Sequence, residues 1–170
     1  MIKYKHIDTA LLAEKDDGML AESIYYHVDA LLGDNYRFPP TNVDKIDGLP
    51  EAAKNIWFTW EFGAEVGGSW SIFDYLVNMV WPAKEIALTL DSLLNIDATE
   101  LLERLTAGIP LSKVENAEFW SDEDTFGLEN IEVNPKYRNF DSIDDGIGEL
   151  IDNGLDRLMA EYIRKNSDAL

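Results

Sequence analysis

Apolar residues recur three and four positions apart in run after run of this chain, and glycine or proline closes each run. That spacing commits the chain to helices. Leu20, Ile24, Val28 and Leu31 mark a helix over 19–32, with Gly33 as its stop. Pro50 suits the first position of a helix over 50–65, whose Ala53, Ile56, Trp57, Trp60 and Ala64 form one apolar face. Pro82 opens another helix to about 94, with Ile86, Leu90, Leu93 and Leu94 turned inward.

The remaining punctuation predicts the rest. A short helix over 9–15 precedes Asp16-Asp17-Gly18, and 34–49, with Pro39-Pro40 and Gly48, is the longest loop. Gly67-Gly68 is expected to break the 50–65 helix, with Ser69 capping a further one over 70–80. Asp97 with Glu100 has the spacing of a capping box, and the helix after it is expected to end at Gly108-Ile109-Pro110. Ser112 and Glu115 repeat the signature for a short helix ending near Trp120. Residues 121–140 read as irregular, with at most a brief strand at 131–133, and 142–165 as one long amphipathic helix. The expected fold is all-α: a mainly helical bundle, one domain over 1–170, with at most a minor strand.

Composition bears on what such a bundle can be. The chain is 46% apolar, with 5 Trp, 7 Tyr and 7 Phe, enough for a packed core and unlike a disordered acidic tail. Trp57, Trp60, Trp70 and Trp81, with Phe58, Phe62, Phe73 and Tyr75, read as core residues. There are no cysteines, hence no disulfides or thiolate metal sites. No apolar run approaches the roughly 18 residues a membrane helix needs, and Met1–His6 is followed by no apolar block. A cytoplasmic location is the default expectation.

Charge narrows the function. The 33 acidic residues outnumber 14 Lys and Arg, for a net charge of −19. Residues 85–161 alone hold 19 acids and 5 bases. A field of this sign repels DNA, RNA and anionic lipid and attracts basic surfaces, so direct nucleic-acid or membrane binding is not expected.

Enzyme chemistry lacks its parts. His6 and His27 are the only histidines, far apart and without metal-ligand spacing. No Gly-rich loop leads to Lys-Ser or Lys-Thr. Asp122-x-Asp124-x-Phe126-Gly127 has Phe126 and Val133 where a calcium loop needs oxygen ligands. No catalytic residue, metal site or cofactor is therefore assigned.

The sharpest feature is a row of acids. Asp141, Asp145, Glu149, Asp152 and Asp156 recur at steps of four, four, three and four. On a continuous α-helix they would form one stripe of about 22 Å, opposite Ile143, Ile147, Leu150, Ile151, Leu158 and Tyr162. Its like-charge neighbours would cost the helix roughly 1–2 kcal/mol. A second block runs through Glu115, Glu118, Asp122, Glu123, Asp124, Glu129 and Glu132, with only Lys113 and Lys136 nearby. The stripe, with Glu118, Asp122, Glu123 and Asp124, is the candidate partner-binding surface. Duplex DNA presents one charge per ~1.7 Å of axis to the basic proteins that read it, and carboxylates on rigid helices imitate such rows more sparsely.

One segment carries a resemblance. Phe62-Gly63-Ala64-Glu65-Val66-Gly67-Gly68-Ser69-Trp70, continuing through Phe73, Tyr75, Leu76 and Asn78, resembles a bacterial family of small domains with a Gly-Gly turn and an aromatic helix ending in Asn. That family includes a nineteen-kilodalton DNA mimic. The resemblance implies a helical homodimer whose acidic surface imitates duplex DNA and holds a helix-turn-helix transcription factor off its operator. It marks fold and carries over no contact residues. The rival readings are an acidic interaction or immunity-type protein whose basic partner does not bind DNA, and a small carboxylate enzyme.

Overall fold

A computed structural model describes residues 7–33, 46–79, 81–121 and 125–170. The Met1–His6 stretch, most of the 34–49 loop, and Asp122, Glu123 and Asp124 lie outside the described residues. The fold is all-α, and no strand occurs among the described residues; 131–133 has no regular secondary structure.

Helix α1 (Thr9–Leu12) is capped by Asp8, and α2 (Asp17–Leu32) by Asp16, whose carboxylate accepts from the Met19 N–H at 2.9 Å. Gly33 ends α2 at a φ of 78°, a conformation glycine adopts without steric cost. Helix α3 (Glu51–Ser69) is the central element. Ala52, Ala53, Asn55, Ile56, Trp57, Phe58, Thr59, Phe62, Gly63 and Val66 are all buried, so α3 is apolar on most of its circumference, as a surrounded helix must be. It packs against α2, α4 (Ala83–Asn95) and α8 (Asp156–Lys165). Asn55 ties these together: its amide donates to the Tyr162 hydroxyl at 2.7 Å and its carbonyl accepts from Ser92 at 3.2 Å. Such a satisfied buried amide fixes helix register.

Two expected breaks do not occur. Helix α3 continues through Gly67-Gly68 to Ser69 and is closed by Trp70, which is left-handed (φ 57°, ψ 30°). Each glycine costs about 0.5–1 kcal/mol relative to alanine. A Cβ at Gly67 would meet Ile151 only at an ordinary 3.5 Å, so it is the burial of Val66 that holds the turn in the helix. Helix α5 (Thr99–Glu115) likewise runs straight through Pro110. Proline inside a helix costs about 3 kcal/mol or more. Packing outweighs it, because Ala107, Gly108, Ile109 and Ser112 are buried and Gly108 admits Leu76, Ile72 and Phe140. Ser112 is thus no cap; its hydroxyl donates back to the Ile109 carbonyl at 2.8 Å. The Asp97/Glu100 box also fails: the cap position is Ala98, with no side-chain bond, and Asp97 sits at a φ of 63°.

The predicted 142–165 helix is divided. Asn139 and Ser142 form a capping box that starts α6 (Phe140–Asp144), and Gly146 at a φ of 71° separates it from α7 (Ile147–Leu150). Arg104 on α5 accounts for the break, donating to the Ile143 carbonyl and, at 2.6 Å, to that of Asp145. These charge-assisted bonds satisfy carbonyls at the end of α6. Beyond α7 a π-turn (Ile151–Leu155) leads into α8.

The π-turn has a sequence cause. Ile147, Ile151, Leu155, Met159 and Ile163 are spaced by exact fours, yet four residues of α-helix overshoot one turn by about 40°, or about 160° over the set. A wider i→i+5 turn absorbs the drift, so all but half-buried Ile151 reach the core. Leu150, Leu158 and Tyr162, expected inward, are partly buried at its margin.

Candidate functional site

Asp141, Asp145, Glu149, Asp152 and Asp156 are all exposed, and none enters an ion pair among the described residues. They do not share one continuous helix. Asp141 lies on α6, Asp145 at the break, Glu149 on α7, Asp152 in the π-turn, and Asp156 begins α8. Four of the nearby bases are engaged elsewhere, while Arg138 and Lys165 are exposed and enter no ion pair among the described residues. Arg104 pairs with Glu100 (3.0 Å), Lys136 with Glu103 (2.9 Å), Arg157 with Glu161 (2.6 Å) and Arg164 with Asp17 (2.7 Å).

The break at Gly146 reshapes the row by bringing other acids beside it. Asp144 turns inward, where its carboxylate accepts from the Ser71 hydroxyl at 2.9 Å and the Ile72 N–H at 2.7 Å. Burial raises its pKa, and these hydrogen bonds oppose the rise. Asp144 therefore works as a clamp between α6 and the segment leading into the π-turn Asp74–Asn78. On one side of it a hollow is lined by Ser71, Phe73, Glu115, Asn139, Phe140 and Asp141. On the other, a hollow is lined by Trp70, Gly146, Ile147, Gly148, Glu149 and Asp152. Glu115, from the second acidic block, is thereby placed next to the first.

The row extends at its other end onto α2. Lost hydration raises the pKa of Asp156, and the charges of Asp16, Asp17, Glu22 and Asp152 raise it further. Gly18 permits this approach: a Cβ there would stand 3.1 Å from the Asp156 carboxylate. Asp16 and Glu22 were not singled out from the sequence, where Asp16-Asp17-Gly18 reads as a break. Nothing local signals that α2 packs beside α8.

Within the second block Glu115, Glu118, Glu129 and Glu132 are exposed. Hydrogen bonding from the Thr125 hydroxyl holds the Glu129 pKa below the usual carboxylate range. Lys113 does not neutralise the block outright. Its ammonium donates to the Leu128 carbonyl and lies 5.4 Å from the Trp120 ring centroid, and burial lowers its pKa.

Trp70 departs from the core reading. Trp57 and Trp81 are buried and Trp60 is partly so, but Trp70 is 49% exposed. Its ring lies on Gly148, where an added Cβ would be 2.3 Å from Cε3 and Cζ3. A left-handed backbone costs an L-residue roughly 1–2 kcal/mol, and here it aims the indole at the acidic face.

Among the described residues there is no group of three or more His, Asp or Glu placed to hold a metal, and no helix long and apolar enough to cross a membrane. No curated protein and no solved structure matches the chain. The family model described as DMP19-like protein matches residues 47–166, from the approach to α3 through the end of α8, which is well over half of the sequence and holds all five acids of the row. The chain belongs to the DMP19-like protein family.

Proposed function

We propose that this protein is a DNA mimic that covers the DNA-binding surface of a basic regulator, a helix-turn-helix transcription factor, and keeps it from its operator. Membership of a DNA-mimic family supports the general class. The observation that carries the reading is the row of five exposed acids with no ion pair among the described residues, set on α6, α7, α8 and the turns that join them, whose apolar sides are packed in the core. Side chains held this way offer negative charge in fixed positions, which is what a phosphate backbone offers. The row follows a bent course over α6, α7 and α8 and is continued by Asp16 and Glu22.

In this mechanism Asp145, Glu149 and Asp152 meet the Lys and Arg of the regulator, while Asp141 and Asp156 extend the contact at either end. Glu118, Asp122, Glu123 and Asp124 remain part of the proposed surface. Long-range charge steers the encounter, and close packing sets the lifetime. The protein acts as a homodimer in the cytoplasm and needs no cofactor. Direct nucleic-acid binding is opposed by the net charge of −19.

The test begins with capture of basic partners from lysate of the source cell. Each is then bound to its fluorescently labelled operator, and the protein is titrated in. Release of operator at stoichiometric protein is the expected result. The triple variant Asp145→Lys, Glu149→Lys, Asp152→Lys, checked for unchanged helicity, should release none. A regulator that holds both operator and protein at once defeats the reading.

A further inference from the structure

We infer that the Trp70 hollow is an arginine-binding subsite of the partner surface, a deepening that rests on the basic-partner reading above. An acidic surface by itself would hold any cation. This hollow adds a half-exposed indole whose back is pressed on the Gly148 backbone. The hollow is lined by Trp70, Asp144, Gly146, Ile147, Gly148, Glu149 and Asp152, with no Lys or Arg among the described residues that line it. Asp144 is committed to Ser71 and Ile72, whereas Glu149 and Asp152 are exposed and enter no ion pair among the described residues.

An aromatic plate flanked by two available carboxylates fits a planar cation. A guanidinium stacks flat on an indole while its edge N–H groups donate to carboxylates. An ammonium is compact and more strongly hydrated, so it gains less from the plate. A nucleobase would also stack, but the surrounding carboxylates repel the phosphates attached to it. The occupant is therefore an arginine side chain of a basic protein. Trp70 supplies what a phosphate row lacks, an apolar contact of the kind that anchors protein interfaces.

The test uses the full chain and two probe peptides, nona-arginine and nona-lysine, at physiological ionic strength. In ¹⁵N-labelled protein the Trp70 indole resonance is assigned by its loss in Trp70→Leu. It should shift saturably with nona-arginine. Trp70→Leu should weaken nona-arginine binding about two- to fivefold and leave nona-lysine binding unchanged. Trp70→Phe, which keeps an aromatic face, should restore part of the loss; it also serves if the leucine variant alters the backbone amide spectrum. An indole that stays still at saturation overturns the inference, as does equal nona-arginine affinity of wild type and Trp70→Leu. Neither titration involves a regulator or DNA. Their failure leaves operator displacement standing, and failed displacement leaves the subsite standing.

Discussion

Replacing Asp156 with Asn should make the protein more stable, because the carboxylate stands in repulsion that the fold maintains. Asp16, Asp17, Glu22 and Asp152 all act on it. Asp17 is offset by Arg164 at 2.7 Å, which leaves three uncompensated neighbours. At roughly 0.2–0.5 kcal/mol per exposed like-charge pair, their removal is worth about 1 kcal/mol. For a chain of this length that is a rise in melting temperature of about 2–4 °C. The helix macrodipole favours an acid in the first turn of α8, but the π-turn runs directly into α8 and leaves it no free N-terminus, so this opposing effect is small. Since the folded-state pKa is raised, the native state keeps its proton where the unfolded chain has lost it, and stability falls as pH rises through that interval. The gain from Asn should therefore be complete near pH 7 and vanish below the ordinary aspartate pKa of about 3.9. Differential scanning calorimetry of both proteins at low salt and at about 1 M salt reads the effect, because a Debye length of about 3 Å screens such repulsion. A variant no more stable than wild type at low salt, or a gain that persists undiminished at high salt, refutes the repulsion argument.

Three further outcomes follow from the same geometry. Gly108→Ala places a Cβ 2.7 Å from Leu76 and 3.1 Å from Ile72. Overpacking of about 1–3 kcal/mol, less about 0.5–1 kcal/mol of helix propensity, should lower the melting temperature by several degrees in thermal denaturation. Asp144→Ala removes the acceptor for Ser71 and Ile72 and should cost about 1–3 kcal/mol by urea titration, with an unchanged slope. Added salt should weaken the regulator–operator complex more steeply than the regulator–protein complex, because duplex DNA releases close to one counterion per phosphate contact and a sparser carboxylate surface releases fewer. Equal slopes in parallel anisotropy titrations would contradict that.

The acids of the 141–156 row and the acids that pair with bases are separate sets among the described residues. The paired bases each have a local acid that is not in the 141–156 row. Arg104 goes further, using its guanidinium on backbone carbonyls and thereby bending the chain at Gly146. The residue that closes α6 is thus also the one that turns a straight row of acids into a bent one.

The sequence by itself determined the helical class, because a 3.6-residue apolar period between Gly and Pro stops has no other compact solution. It also determined the sign of the surface and the exposure of Asp141, Asp145, Glu149, Asp152 and Asp156, though not the inward turn of Asp144 onto Ser71 and Ile72. It did not determine where helices end. Gly67-Gly68 and Pro110 are local penalties of a few kcal/mol, and burial of Val66, Ile109 and Ser112 against distant segments overrides them. Nor could it place Asp16 and Glu22 beside Asp156, or Trp70 on Gly148, because residues more than seventy positions apart meet only through packing around α3. Periodicity is a property of neighbours along the chain. A surface is a property of neighbours in space, and only the tertiary structure makes those.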